Sequence, residues 1–399
     1  MITQAQYHLI SILKASLFGA TFCYPEEINW DDVITEAKAQ TVVGLMSTVI
    51  PVHDQEVDQS VANYMRIMYE QDCLVRLFEA NNIQFVIIKG AAAAINYPKP
   101  YLRTMGDIDI LVPQNYFVNA MELLESNGYE YLHGKNENDN HNDGVREIEY
   151  LKNGIDIELH KSFSSPGVDV DDILEEAISR REYRILNGFR FPILPEVENG
   201  LVLIGHINQH IKNNGLGLRQ IVDWEMYLHS ITNHDEWEED FVALLGRVGL
   251  LTLAAYVTRM CNIYLGLPES FSFISGVNDD IAEELLEVIL TDGNFGRREM
   301  TPHSSDEKCM RGAIYNIRRY GVLNYFTEVG IRAWRHNNEK SAIKPVAFFY
   351  GLFRQIRKGI IALLNNKNIG KHINEGKMRY ELYKKLGVRN DDEFYDVNS

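Results

Sequence analysis

The chain has 399 residues, enough for two or three domains with a substantial core, and 45% hydrophobic with 11% aromatic content is that of an ordered globular protein. No window approaches about 18 uninterrupted apolar residues, and Met1-Ile2-Thr3-Gln4-Ala5-Gln6 lacks a basic stretch leading into an apolar run, so neither a membrane-spanning helix nor a secretion signal is expected. Cys23, Cys73, Cys261 and Cys309 are scattered with no CxxC pair, so reduced thiols and a cytoplasmic setting are expected, not a disulfide framework or a zinc knuckle.

The net charge of -17 is unevenly placed. From Lys308 to Arg389, 18 Lys and Arg stand against 4 Asp and Glu, whereas the remainder holds 21 against 52. So acidic a body argues against nucleic acid as a partner of the main domain, because phosphate contacts need a basic surface.

Residues 1–80 read as a helical lobe. Apolar residues recur at helical spacing over Tyr7–Leu13 and from Trp30 through Val33, Ile34, Ala37 and Val42 to Met46, and a third helix is expected over Val61–Asn81. The period then changes. Gln84–Lys89 is a short β-branched run closed by Gly90, the alanine-rich Ala91–Ile95 opens a short helix, and Tyr97-Pro98-Lys99-Pro100 ends it. Asp107–Val112 is a second strand, and Tyr116–Ser126 an amphipathic helix stopped by Asn127-Gly128. Tyr129–His133 and Val145–Leu151 read as strands joined by an exposed, mobile loop over Gly134–Gly144, and Asn153-Gly154 turns into the alternating strand Ile155–His160. From about Glu196 onward the pattern is helical again. The division expected is a helical lobe over 1–80, an α+β catalytic domain with a mixed sheet over 81–195, a helical domain over 196–300, and a basic helical region over 301–399 whose last ten residues form a disordered tail.

The chemistry concentrates in the sheet. Residues i and i+2 of a strand point to one face, so Asp107 and Asp109 aim at one point while Ile108 and Ile110 enter the core. Two anions held so close repel unless a cation lies between them, and hard oxygen ligands suit Mg²⁺, whose other ligands are usually substrate phosphates. Two-metal transfer at phosphorus takes a third carboxylate from a neighbouring strand, and Asp156, Glu158 and His160 share one face of Ile155–His160. The turn at Gly90 lets backbone N–H groups approach a triphosphate, and Lys89, Arg103 and Lys161 are nearby cations. The competing reading makes Asp-x-Asp a turn feature, Asp156 and Glu158 solvent-facing strand residues, and Lys89 a surface lysine.

Ile87-Ile88-Lys89-Gly90-Ala91, followed by Tyr97-Pro98, Arg103 and Gly106-Asp107-Ile108-Asp109-Ile110-Leu111-Val112, resembles an uncharacterised bacterial nucleotidyltransferase family of the DNA polymerase beta-like superfamily. Ile157-Glu158-Leu159-His160 is similar to its second signature, and the likeness extends over roughly residues 20–300. The resemblance implies the nucleotidyltransferase fold, two Mg²⁺ ions and a nucleoside triphosphate donor. It makes Asp107, Asp109 and Glu158 the catalytic metal ligands, and sets Lys89, Gly90, Ala91 and Arg103 around the triphosphate. The superfamily usually carries Gly-Ser or Gly-Gly where this chain has Gly90-Ala91, which removes one hydroxyl hydrogen bond to phosphate. The acceptor could be a sugar, another small molecule, a peptide or a protein side chain. The rival functions are a nucleotide-binding scaffold without turnover and an antitoxin-like enzyme that modifies a protein.

His206 and His210, at i and i+4, have zinc-binding spacing but lack the glutamate of HExxH. Arg219 and Asp223 share the same spacing and could pair on a helix surface; whether these four residues contact the nucleotide or acceptor or are architectural is left open by the sequence. In the basic region, aromatic residues interleave with Arg and Lys around Arg318, Arg332–Arg335 and Phe348–Lys358. A solvated face, or one docked on the acidic body, competes there with peripheral contact to an anionic membrane through 308–389.

Overall fold

The computed structural model describes residues 2–24, 27–50, 55–133, 146–165, 167–213, 215–293, 317–318, 321–327, 329–331, 344–364 and 369–388. They belong to two units, Met1–Asn294 and Phe295–Ser399. The loop expected over 134–144, the tail over 390–399 and the Arg332–Arg335 cluster lie outside the described residues.

Four helices precede the sheet: α1 (Gln4–Phe18), α2 (Trp30–Ala39), α3 (Val43–Met46) and α4 (Gln55–Ala80). Thr3 and Gln6 form a capping box at the start of α1, and the Asn29 side chain accepts from the Asp31 and Asp32 amides to start α2. Helix α4 begins at Gln55, ahead of the expected Val61, because its first turn is polar and carries no apolar periodicity. At Gly44 an added Cβ would collide with the Leu102 carbonyl, so only glycine lets α3 lie against the segment leading to Arg103.

The first unit is α+β. Strands β1 (Val86–Ile88), β2 (Asp107–Leu111), β3 (Glu130–His133), β4 (Glu147–Lys152) and β5 (Ile155–His160) make a mixed sheet in the order β1-β2-β5-β4-β3. Strands β2 and β5 run parallel and the other pairs antiparallel. Between strands lie α5 (Gly90–Ala94) and α6 (Phe117–Ser126). One sheet face packs Ile87, Ile108, Ile110, Ile157 and Leu159 against Tyr64, Ile67, Met68 and Phe78 of α4 and Phe117, Ala120 and Leu124 of α6. Each such side chain contributes about 1.5–3 kcal/mol on burial. A one-residue slip of β2 or β5 would carry carboxylates into that core, so the register is strongly specified. Asp107, Asp109, Glu158 and His160 consequently share the opposite face.

After the sheet come α7 (Asp171–Ser179) and a hairpin of β6 (Glu182–Leu186) and β7 (Phe189–Ile193), none of which the apolar pattern anticipates. The hairpin adds Leu186, Phe191 and Ile193 to the same core. Helices α8 (Glu196–Asn213), α9 (Leu218–Ser230), α10 (His234–Val248), α11 (Leu251–Met260) and α12 (Asp279–Asp292) complete the unit. In the second unit, α13 (Lys344–Leu364) exposes Phe349, Phe353 and Ile356 beside Arg354 and Arg357, and α14 (Ile369–Lys385) follows. Among the described residues no helix is long and apolar enough to cross a membrane.

Candidate active site

Parallel pairing of β2 with β5 sets Asp109 opposite Glu158 and Asp107 opposite Asp156. Asp109 is buried at 2% exposure, and its Oδ1 lies 3.1 Å from His160 Nε2, which is also 3.2 Å from Glu158 Oε2. The antiparallel partner of His160 is Glu147 on β4, whose Oε2 comes within 3.1 Å of His160 Nδ1. One imidazole thus faces three carboxylates on three strands.

Lys89 enters from the end of β1. Its ammonium is 2.5 Å from Asp109 Oδ1 and 3.5 Å from Glu158 Oε2, with the Phe163 ring centroid 5.9 Å away. To place it there the backbone takes φ 53°, ψ -126° at Lys89, a region that favours glycine and costs a larger residue on the order of 1–3 kcal/mol. The strained residue is therefore Lys89, one position before the Gly90 where the sequence pattern located the turn. A Cβ added at Gly90 would make only ordinary contacts, 3.5 Å from Met105 Cε and 3.8 Å from the Asp107 carbonyl.

Burial opposes charge on Lys89, but the carboxylates of Asp109, Glu158 and Asp107 hold its pKa above that of an ordinary lysine. Burial and the Lys89 charge likewise oppose protonation of His160, yet its hydrogen bond to Asp109 and its close contacts with the Glu147 and Glu158 carboxylates raise it to about 10. Burial also pushes Glu158 up, but His160 and Lys89 together bring it below the ordinary carboxylate range. Asp107 goes the other way. Burial and the neighbouring Asp109 charge raise it, with Lys89, Arg219 and Arg103 only partly offsetting them.

Helices α8 and α9 supply further side chains. Arg103 Nε and Nη2 donate to Asp223 Oδ1 and Oδ2 at 2.6 and 2.7 Å, and Tyr97 Oη donates to Oδ1 at 2.7 Å. The Arg219–Asp223 surface pair that the spacing allows is not formed: Asp223 is buried at 3% exposure, and its oxygens serve Arg103 and Tyr97. Arg219 Nη1 donates instead to the Thr104 carbonyl at 3.3 Å. His206 and His210 meet Nε2 to Nε2 at 2.8 Å, with His210 Nδ1 3.3 Å from the Gly215 carbonyl. Nδ1 must carry a proton to reach that carbonyl, so His210 Nε2 accepts and His206 Nε2 donates. These rings hydrogen-bond each other, and the zinc-type spacing serves that bond.

Among the described residues, one group of side chains has ligand atoms close enough to hold a metal together: Asp109, Glu158 and His160, all within 4.8 Å of one another. An Asp-x-Asp strand beside a parallel, carboxylate-bearing strand, with a lysine at the preceding turn, is an arrangement for chemistry at phosphorus. The sequence model of a family described as uncharacterised nucleotidyltransferase matches residues 26–266. The chain belongs to this nucleotidyltransferase family. No curated protein matches it. The protein is thus a nucleotidyltransferase enzyme with a nucleoside triphosphate substrate, and the matched stretch contains every site residue named above.

In this nucleotidyltransferase Asp109, Glu158 and Lys89 come together, Asp107 lies near enough for the Asp109 and Lys89 charges to act on it, and Gly90 and Ala91 are buried at the start of α5. The guanidinium of Arg103, expected beside the phosphates, is already committed to Asp223, and its Nη1 reaches the Thr104 carbonyl at 3.3 Å. Asp156 is exposed, and Lys161 lies over the Phe117 ring at 5.4 Å. Sequence reasoning placed His160 on the right face without a role, and Glu147 needs the β4–β5 register to be found; the pairing of Arg219 with Asp223 that the spacing allowed is not formed.

Proposed function

We propose that this nucleotidyltransferase moves a nucleoside monophosphate from a nucleoside triphosphate to a hydroxyl acceptor, with Mg²⁺ as its metal and pyrophosphate as the leaving group. The observation that carries this reading is the convergence of Asp109 and Glu158 from neighbouring parallel strands, with Asp107 two residues along the same face. The donor set fits the ion: carboxylate oxygens suit a hard cation, and the burial and neighbouring Asp109 charge that raise Asp107 are what a divalent cation offsets. Asp107, Asp109 and Glu158 would hold Mg²⁺, which when bound polarises the reacting phosphoryl group and acidifies the attacking hydroxyl. Protonated His160 orients Asp109 and Glu158 from within the sheet. The low basicity of Glu158 favours ligation over proton abstraction. Lys89 offsets the carboxylate charge, Gly90 and Ala91 border the phosphates, and Arg103 fixes the edge of the site through Asp223.

Full-length protein incubated with α-labelled ATP, CTP, GTP or UTP, Mg²⁺ and a cell extract tests this. Label should pass to a small molecule or peptide and stop doing so in Asp109→Asn and Glu158→Gln. Label on a protein would instead support a protein-modifying enzyme. Binding without transfer would support an inactive nucleotide-binding protein, and neither binding nor transfer would remove the proposal. As part of the same reading, the segment 308–389 contacts an anionic membrane surface; exposed Phe349, Phe353 and Ile356 beside Arg354 and Arg357 support it. Sedimentation with anionic but not neutral vesicles is the expected result.

A further inference from the structure

Two guanidinium groups, of Arg103 and Arg219, donate to the single carbonyl of Thr104, each at 3.3 Å. One carboxylate, Asp223, serves the pair, and Arg103 and Tyr97 take both its oxygens. Among the described residues Arg219 has no ion-pair partner, and its Nε is sealed from solvent with no hydrogen-bond acceptor. Thr104 Oγ1, on the residue that both guanidinium groups share, is equally sealed and unpartnered. A cation held inside a protein without an anion is costly, and such groups persist where a ligand supplies the missing charge.

The fold holds Arg219 in this state deliberately. It is the second residue of α9, and the first, Leu218, donates its amide to Gln40 Oε1 at 2.9 Å. Gln40 is fully buried and donates in turn to Glu36 and to the Ile289 carbonyl, so the start of α9 is clamped from α2 and α12. Asp107 lies close enough to feel the Arg219 charge but forms no ion pair with it, and His206, on the neighbouring helix, is kept neutral by burial and by the surrounding cations. An anion arriving at the carboxylate cluster therefore meets one arginine that Asp223 and Asp107 attract from a distance but that no carboxylate, among the described residues, contacts directly. A polyphosphate matches it, because a guanidinium binds phosphate oxygens through two parallel N–H donors.

Resting on the nucleotidyl-transfer reading above, we propose that Arg219 is the residue of the helical wall that binds the polyphosphate of the nucleotide donor, in place of the Arg103 that the motif alone suggests. Titration calorimetry of the full chain with ATP, CTP, GTP and UTP in Mg²⁺, each beside its nucleoside, tests it. Arg219→Met should bind the preferred triphosphate at least about tenfold more weakly, the effect of one lost charged contact, and leave nucleoside binding unchanged. Arg219→Lys should lose less. Without ligand, Arg219→Met should melt no lower than the wild type, because it removes an uncompensated cation. A smaller loss of affinity, or a variant that melts lower or fails to fold, overturns the proposal and makes Arg219 a structural strut. If the wild-type protein binds none of the four triphosphates, the nucleotidyl-transfer reading fails as well, an outcome distinct from any confined to the variants.

Discussion

Arg103 and Asp223, 120 residues apart, are joined by two parallel N–H···O bonds of 2.6 and 2.7 Å. This buried pair ties the loop leading into β2 to helix α9, beside the weaker bond from Arg219 to the Thr104 carbonyl. Burial opposes charge on Arg103, but Asp223 holds its pKa above the ordinary value, and the adjoining Tyr97 phenol is pushed well up by burial and by the same carboxylate. Removing one member of a buried pair leaves the other charge uncompensated, at about 3–5 kcal/mol. Asp223→Ala strands the Arg103 guanidinium and removes the acceptor of the Tyr97 hydroxyl, and should destabilise the protein by at least that amount in urea unfolding. Arg103→Met with Asp223→Leu should cost less than the sum of the single changes, because neither charge is then left alone.

Lys89 is the second buried charge with a defined task. Lys89→Met removes the ammonium 2.5 Å from Asp109 and leaves Asp109 and Glu158 with His160 as their contacting cation among the described residues. Without divalent metal the variant should unfold in less urea by about 3–5 kcal/mol. Mg²⁺ should return part of this, because an ion that binds the native state alone stabilises it by mass action. A variant with wild-type stability and no response to Mg²⁺ would show that Lys89 does not share its carboxylates with a metal.

Much of the sheet was legible because polar and apolar residues alternate cleanly in the sequence of residues 107–110 and of Ile155–His160, so their carboxylates emerge on one face as a period of two requires, although Asp109 and His160 on that face are buried as well. The β6–β7 hairpin had a readable signal in Asn187-Gly188, which takes positive φ at both residues, but its flanking strands are short and half-exposed, so apolar pattern did not mark them. Helix α7 is only nine residues long and starts at Asp171, whose side chain accepts from the Phe163 and Ser164 amides; those bonds organise a loop and leave no periodic trace. The partnerships of Glu147 with His160 and of Asp223 with Arg103 depend on strand register and on the docking of a distant helix. Neither follows from local spacing.

The contact between His160 and Glu147 is the one most readily separated from metal binding. His160 touches Asp109 and Glu158 through Nε2 and Glu147 through Nδ1, so it aligns the carboxylates without reaching the phosphates itself. The close contact with His160 is the largest influence on Glu147 and holds its carboxyl below the ordinary range. Changing a partner that orients metal ligands typically costs about 10–100-fold in metal affinity or activity. His160→Gln should fall in that range for Mg²⁺-dependent label transfer. Glu147→Gln should lie at its lower end, because Glu147 is two-fifths exposed and solvent replaces part of its contact.

Acid should weaken the fold through His206 and His210. Burial, reinforced by Arg219 and Lys89, lowers His210 to about 4, and burial with the charge of His210 carries His206 well below its usual value. Their shared Nε2–Nε2 bond of 2.8 Å needs one ring to accept, so the native state excludes a second proton there. The unfolded histidines titrate near 6.5 and bind protons that the native ones refuse, so stability rises with pH across this window. The contribution is fully present above about pH 6.5 and is lost as pH falls toward about 4; for His210 alone it is about 3 kcal/mol. Carboxylates titrate in the same interval, so the measurement is a difference: urea unfolding of wild type and of His206→Gln with His210→Gln at pH 7.5, 6 and 5. The double variant should be less stable at pH 7.5, having lost the pair, and should lose less stability on acidification than the wild type. Equal slopes for the two proteins would mean that the histidines are not held neutral in the native state.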